Sequence, residues 1–371
     1  MPVPIYMIKD GLVLFLLFSA RKGGCKVMPG EVFQNETRLD VRPGEWSQVL
    51  RFFPPPVRGI LARVTEWVRP QIMEIRFRSN RPIELCWDRQ SAWVAVTGEL
   101  TVDPGRAVTF SPEDLKNIVS SLTAASFYAL EETISQGYLA LPGGHRVGLA
   151  GQAVCDLGKI RLIRNVSSIN FRIAKAVRGI ARPLLPLLAV DGRLRQTLLV
   201  GPPAAGKTTL LRELIREVSN GAPRYGLFGQ RVGLVDERSE IAGSFLGTPQ
   251  LDVGRRTDVL DGCPKKAGVY LLLRALTPQL IATDEIGGRE DFQVIEDILN
   301  TGVSFIATAH AQNLNEALGR PGLRPLLESG MVERVVVMSS RLGVGTIESV
   351  RAGAVGPELL AQAFRPEAVN D

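Results

Sequence analysis

A chain of 371 residues with 45% hydrophobic and 22% charged residues has an ordinary globular composition, and its length predicts two domains or two plus a tail. These values exclude long disordered, collagen-like and disulfide-scaffold chains. The net charge of +6 allows contact with nucleic acid or an anionic membrane face without requiring either, and the widely separated Cys25, Cys86, Cys155 and Cys263 argue against a zinc or dithiol centre.

In chain order, the apolar run from Gly11 to Ala20 is too short to span a bilayer and lacks the charged lead and cleavage site of a signal peptide. Met28 follows, and no periodic pattern precedes Trp46. Residues 1–45 are therefore expected to form a poorly ordered extension, or to follow from a start placed too far upstream. From Trp46, the apolar positions Val49, Leu50, Phe53, Ile60, Leu61, Val64 and Val68 recur at helical spacing around the Pro54-Pro55-Pro56 break. Ile72 to Phe77, Ile83 to Trp87 and Trp93 to Val96 read as short strands. Ser111-Pro112-Glu113-Asp114 caps a helix that runs through Leu122. Strands follow in Gly143 to Gly151 and in Ser168 to Ile173. This makes an α+β module over residues 46–180, and a proline-bearing linker is expected over 181–192.

Beyond Gly192 the pattern becomes strand, loop, helix. Thr197 to Val200, Val232 to Val235, Leu280 to Thr283, Val303 to Thr308 and Val335 to Met338 are apolar runs suited to strands buried on both faces. Helical stripes lie between them, at Leu210, Leu211, Leu214, Ile215 and Val218 and at Phe292, Ile295, Ile298 and Leu299. Such alternation predicts a mainly parallel sheet covered by helices. It occupies residues 193–350, with a tail at 351–371.

Gly201-Pro202-Pro203-Ala204-Ala205-Gly206-Lys207-Thr208 matches G-x-x-x-x-G-K-[ST] between a strand and an amphipathic helix; a chance match in this composition is expected only about 0.01 times. Backbone amides of such a loop surround phosphates at the positive end of a helix dipole. Lys207 reaches the β and γ phosphates, the Thr208 hydroxyl ligates Mg²⁺, and Thr209 adds a contact. Leu280 to Thr283 ends in Asp284-Glu285, where Asp284 can hold Mg²⁺ and Glu285 can polarise water or complete the metal shell. Val232 to Val235 ends in Asp236-Glu237; Glu237, with Asp236 next, is the candidate that positions an attacking water, the bland alternative being an ion pair with Arg238 or Arg255. His310 closes a third strand and can sense the γ phosphate through a hydrogen bond.

The order of these motifs resembles the type II and type IV secretion-ATPase superfamily with its pilus motors, and more closely the stage III sporulation protein AA family of endospore formers. VDERSEIAG, TPQLDVGRRTDVLDGCPK, TPQLIATDEIGGRED and the upstream GGHRVGLAG carry the likeness, which runs from Trp46 to about Val350. It implies an α/β fold, namely a RecA-like P-loop ATPase domain with a preceding smaller α+β domain. It also implies ATP and Mg²⁺ as ligand and cofactor, and catalytic roles for Lys207, Glu237, Asp284, Glu285 and His310. By the same resemblance Arg146 and Arg172 face nucleotide from the same or a neighbouring subunit, with Arg255 and Arg256 as further candidate fingers. The strand-end pair is Asp-Glu where many secretion ATPases carry Gly-Glu, which leaves open whether Glu237 or Glu285 is the stronger base.

The implied protein is a hexameric motor at the cytoplasmic face of a membrane-spanning transport or assembly complex, in the mother cell of a sporulating bacterium. Its partners are copies of itself and membrane proteins of a sporulation channel complex, and it has no stable transmembrane span of its own. The alternative is a nucleic-acid-dependent RecA-like ATPase. No helix-turn-helix or RNA-recognition module accompanies the P-loop, so nucleic acid is not the expected partner. A nucleotide-binding scaffold without turnover is a third reading, opposed by the intact Lys207, Thr208, Asp284 and Glu285.

Overall fold

The computed structural model describes residues 3–9, 12–19, 26–29, 45–87, 90–124, 138–156 and 158–360. Two compact units result, one of residues 41–176 with 243–251, the other of 1–40, 177–242 and 252–371.

The unit of residues 41–176 is built on a seven-stranded antiparallel sheet. In spatial order its strands are Leu139–Leu141, His145–Asp156, Lys159–Arg172, Glu74–Arg78, Glu84–Trp87, Gln90–Val94 and Leu100–Thr101. Because side chains alternate along a strand, Ile75, Phe77, Leu85, Val147, Ile169 and Phe171 fill one core, while Glu74, Arg146 and Arg172 take the opposite face. The predicted strands in 143–151 and 168–173 are the paired ends of one long hairpin. Helices Glu45–Leu50 and Pro55–Leu61 and a longer one, Pro112–Ala124, supply the rest of the core. The first helical pattern stops at Leu61, and Val64, Val68 and Ile72 are buried from turns instead.

The P-loop unit follows a different logic. Its strands are β1 (Thr197–Gly201), β2 (Val232–Asp236), β3 (Thr257–Asp261), β4 (Leu280–Thr283), β5 (Ser304–His310), β6 (Arg334–Ser339) and β7 (Thr346–Arg351). They lie in the order β3-β2-β4-β5-β1-β6-β7, parallel except for β7. Strands β1, β2, β4, β5 and β6 each feed two cores: Leu199, Leu234, Ala282, Ile306 and Val336 go to one, and Leu198, Val235, Ile281, Phe305 and Val335 to the other. That two-sided burial is why these runs carry no polar alternation. Helix α1 (Lys207–Asn220) covers the first face, and α2 (Lys265–Ala275) with α3 (Arg289–Asn300) covers the second. The phosphate-loop strand between β5 and β6, with β4 and β2 beyond, is the RecA-like arrangement that the sequence predicts.

Three expectations change. The predicted linker at 181–192 is packed structure: it holds a short helix, Leu185–Leu188, and a strand pair, and it buries Ala181, Leu184, Leu185 and Leu188 in the first core. Pro183 and Pro186 sit in the first turns of helices, where the missing amide costs nothing. Within 1–40, where no strand pattern is legible, Val3–Lys9, Leu12–Ser19 and Lys26–Pro29 pair antiparallel. A uniformly apolar run has no alternation to announce a strand. The expected tail continues as ordered chain to the buried Leu360; residues 30–44 and 361–371 lie outside the described residues. No helix among the described residues is long and apolar enough to cross a membrane.

Candidate nucleotide site

At the end of β1 the chain turns through Ala204 and Gly206, at φ +59° and +87°, into α1. Gly206 heads the helix in the left-handed region, so the loop and the first helical amides share one turn. Gly201 is equally constrained, because an added Cβ would lie 2.8 Å from the Met338 carbonyl oxygen. Lys207, 5% exposed, folds back over the loop: its Nζ donates to the carbonyls of Gly201 and Pro202, each at 2.9 Å, and lies 3.1 Å from His310 Nδ1. Burial draws the lysine below its ordinary pKa against the opposing pull of Asp284 and Glu285.

The parallel register brings the other strand ends to this loop. Gly201 stands opposite His310, and Thr283 opposite Ala307. Thr208 Oγ1 donates to Asp284 Oδ2 at 2.9 Å, and Thr308 Oγ1 donates to Asp284 Oδ1. Glu285 follows at φ +49°, a left-handed conformation that costs a non-glycine residue about 1–2 kcal/mol. Its amide donates to Thr308 Oγ1 at 2.9 Å and its carbonyl accepts from Lys265 Nζ at 2.8 Å, and these bonds hold the strained peptide. Lys265 is held in turn by Asp291, which accepts the amides of Gly287 and Gly288 ahead of α3.

The Glu285 carboxylate is engaged at both oxygens. Oε1 lies 3.0 Å from His310 Nε2, and Oε2 lies 2.5 Å from the Arg238 guanidinium. Burial raises its pKa, but the His310 hydrogen bond, Arg238 and Lys207 together bring it below the usual carboxylate range. Glu237 is exposed, and among the described residues its carboxylate has no hydrogen-bond or ion-pair partner. Asp236, the second choice for water activation, is 1% exposed and accepts the amides of Glu240, Ile241 and Ala242. It shapes the following loop, and its burial keeps it from bulk water.

Lys207, Thr208, Asp284, Glu285 and His310 therefore meet in one site. The bland expectation of an ion pair between Glu237 and Arg238 fails, since Arg238 pairs with Glu285 across strands. Arg256 donates to the carbonyls of Ser219 and Asn220 and so caps the C-terminal end of α1, about 20 Å from the phosphate loop of its own chain. Neighbouring Arg255 bonds through its amide to Asn220 Oδ1 at that same end. In the other unit, Arg146 and Arg172 face each other in register; Arg146 lies over the Tyr138 ring at 4.3 Å, and Arg172 is 3.8 Å from Glu74. Sequence reading missed Arg238, Lys265 and Thr308, whose partners come from other strands and helices.

The family described as sporulation stage III, protein AA, matches residues 45–354. The stage III sporulation protein AA of Bacillus subtilis (strain 168) is 38% identical over 304 residues, which cover 82% of this chain and 94% of that protein. The uncharacterized protein ycf45 of Cyanidium caldarium is 28% identical over 179 residues, 48% of this chain and 50% of its own. Among solved structures, the ATPase DotB of Legionella pneumophila aligns at 16% identity with a TM-score of 0.49, covering 77% of this chain and 76% of the other.

Proposed function

The chain belongs to the sporulation stage III, protein AA family, and we propose that it hydrolyses ATP at this site as a homo-oligomeric, hexameric motor energising a membrane-spanning complex during endospore formation. The observation that carries the reading is the convergence of Lys207, Thr208 and Asp284 on one loop, with Thr208 Oγ1 2.9 Å from Asp284 Oδ2. Two hard oxygen donors at that spacing suit Mg²⁺. Thr208 and Asp284 would hold the ion, which would supply charge neutralisation at the β and γ phosphates.

The chain's own groups supply the rest. Loop amides and the α1 N-terminus hold the phosphates, and Lys207 exchanges its carbonyl acceptors for phosphate oxygens. Glu237, with an unengaged carboxylate, orients the attacking water. Glu285 and His310 form the wall on which the γ phosphate rests, and Arg146 and Arg172 neutralise charge from the same or a neighbouring copy. Its location is the cytoplasmic face of the complex, in the mother cell.

The test is phosphate release by the full chain with Mg²⁺ and ATP, with and without DNA. Lys207→Ala should abolish turnover and weaken nucleotide binding, and Asp284→Ala should lose magnesium dependence. Turnover by folded Lys207→Ala at the wild-type rate would remove the reading. Native mass spectrometry with nucleotide reports whether a ring forms.

A further inference from the structure

We infer that Arg238 is a positioning residue for this site: it holds Glu285 against His310 and so completes a side-chain chain from the loop after β2 to the P-loop lysine. The inference rests on the nucleotide-hydrolysing reading and adds to it a residue that no motif assigns. The chain runs Arg238, Glu285, His310, Lys207, with successive separations of 2.5, 3.0 and 3.1 Å. It spans four elements, because the four residues come from the ends of β2, β4 and β5 and the start of α1.

Donor counting sets the direction of every bond. An ammonium has three protons and no acceptor, and Lys207 has three partners, the Gly201 and Pro202 carbonyls and His310 Nδ1. The Nδ1 atom must therefore accept. The imidazole proton then sits on Nε2 and is donated to Glu285 Oε1. The second carboxylate oxygen takes a guanidinium proton from Arg238. With both oxygens occupied, Glu285 keeps its proton-acceptor capacity turned toward His310 and Arg238, and water activation passes to Glu237, one residue before Arg238. When Lys207 turns to a phosphate, His310 Nδ1 loses its donor, while Arg238 keeps the Glu285 carboxylate in place against the ring. An arginine side chain that is 64% exposed adds little to fold stability through such a pair, so its effect should appear at the site.

The experiment uses the full chain and two readouts. First, Arg238→Ala should lower kcat about tenfold with KM for ATP unchanged, Arg238→Lys should recover part of it, and adding Arg238→Ala to Glu285→Gln should change kcat less than about twofold. Second, the chain contains only His145 and His310, so imidazole ¹⁵N spectra resolve both. Arg238→Ala should move the His310 nitrogens away from the Nε2-protonated pattern and leave His145 in place. Equal loss in both backgrounds with weaker Mg·ATP binding would make Arg238 a phosphate ligand and overturn the inference. So would unchanged kcat with unchanged His310 nitrogens. If the wild type has no turnover the hydrolytic reading falls, and the His310 spectra alone decide whether Arg238 holds the chain.

Discussion

Two histidines show how differently one residue type is used. His310 is half-buried between a lysine and a glutamate at the end of its strand. His145, within GGHRVG, is a core residue: it is 4% exposed, its Nδ1 accepts the Ala174 amide at 3.1 Å, and its ring packs on Phe52 and Phe171. Burial pushes its pKa down to about 4, below the ordinary 6.5. The unfolded chain therefore binds a proton near pH 6.5 that the folded chain refuses until about pH 4. Stability from this group is complete above pH 6.5 and declines as pH falls through that window, by about 3 kcal/mol at the acid end. Urea midpoints of His145→Gln and wild type, compared at pH 7 and pH 4.5, should show a smaller acid loss in the variant. Equal acid losses would place the sensitivity elsewhere. The residues legible in advance, Lys207, Thr208, Asp284, Glu285 and His310, each stand at a fixed offset from a strand or glycine in their own segment. Thr308 acts across the register of a parallel sheet, and Arg238 and Lys265 reach Glu285 from a loop and a helix start, none of which local spacing encodes.

At the level of elements, legibility followed burial. Strands buried on both faces, such as Val232–Asp236 and Leu280–Thr283, stand out as apolar runs. The outer strands Thr257–Asp261 and Thr346–Arg351 carry charges along their length, so TDVLD and TIESVR offer no apolar run. The segment 243–251 was hidden for another reason: it lies between two strands of the P-loop unit in sequence and clusters with the other unit. There Phe245 and Thr248 exchange both backbone hydrogen bonds, at 2.9 and 3.0 Å, around Leu246 and Gly247 at φ +48° and +73°. Two positive φ values across a two-residue loop define a type I′ turn, which favours Asn-Gly. Leucine there is strained, and it is 77% exposed, so it recovers little through burial. Leu246→Asn should raise stability by about 0.5–1 kcal/mol, read as a higher denaturant midpoint at unchanged slope. A lower midpoint would mean that the leucine is held by packing after all.

On the scale of the whole molecule, the chain leaves the P-loop unit after Ala242, re-enters it at Asp252, and spends its largest excursion, 41–176, on the sheet that bears Arg146 and Arg172. Those arginines face each other on the polar side of that sheet, Arg146 over an aromatic ring and Arg172 3.8 Å from a carboxylate. A guanidinium can hold a phosphate bidentately through its planar fork of donors. If Arg146 serves a neighbouring copy's nucleotide, a subunit can lack either its arginine or its lysine and still contribute half a site. Arg146→Ala should bind Mg·ATP normally and lose turnover. Mixed with Lys207→Ala in an assembly that native mass spectrometry shows to contain both variants, it should regain part of the wild-type rate, because some interfaces then pair an intact Lys207 with an intact Arg146. Full turnover by a monomeric Arg146→Ala protein would rule the arrangement out. Absence of rescue in assemblies proven to be mixed would confine the arginine to its own chain.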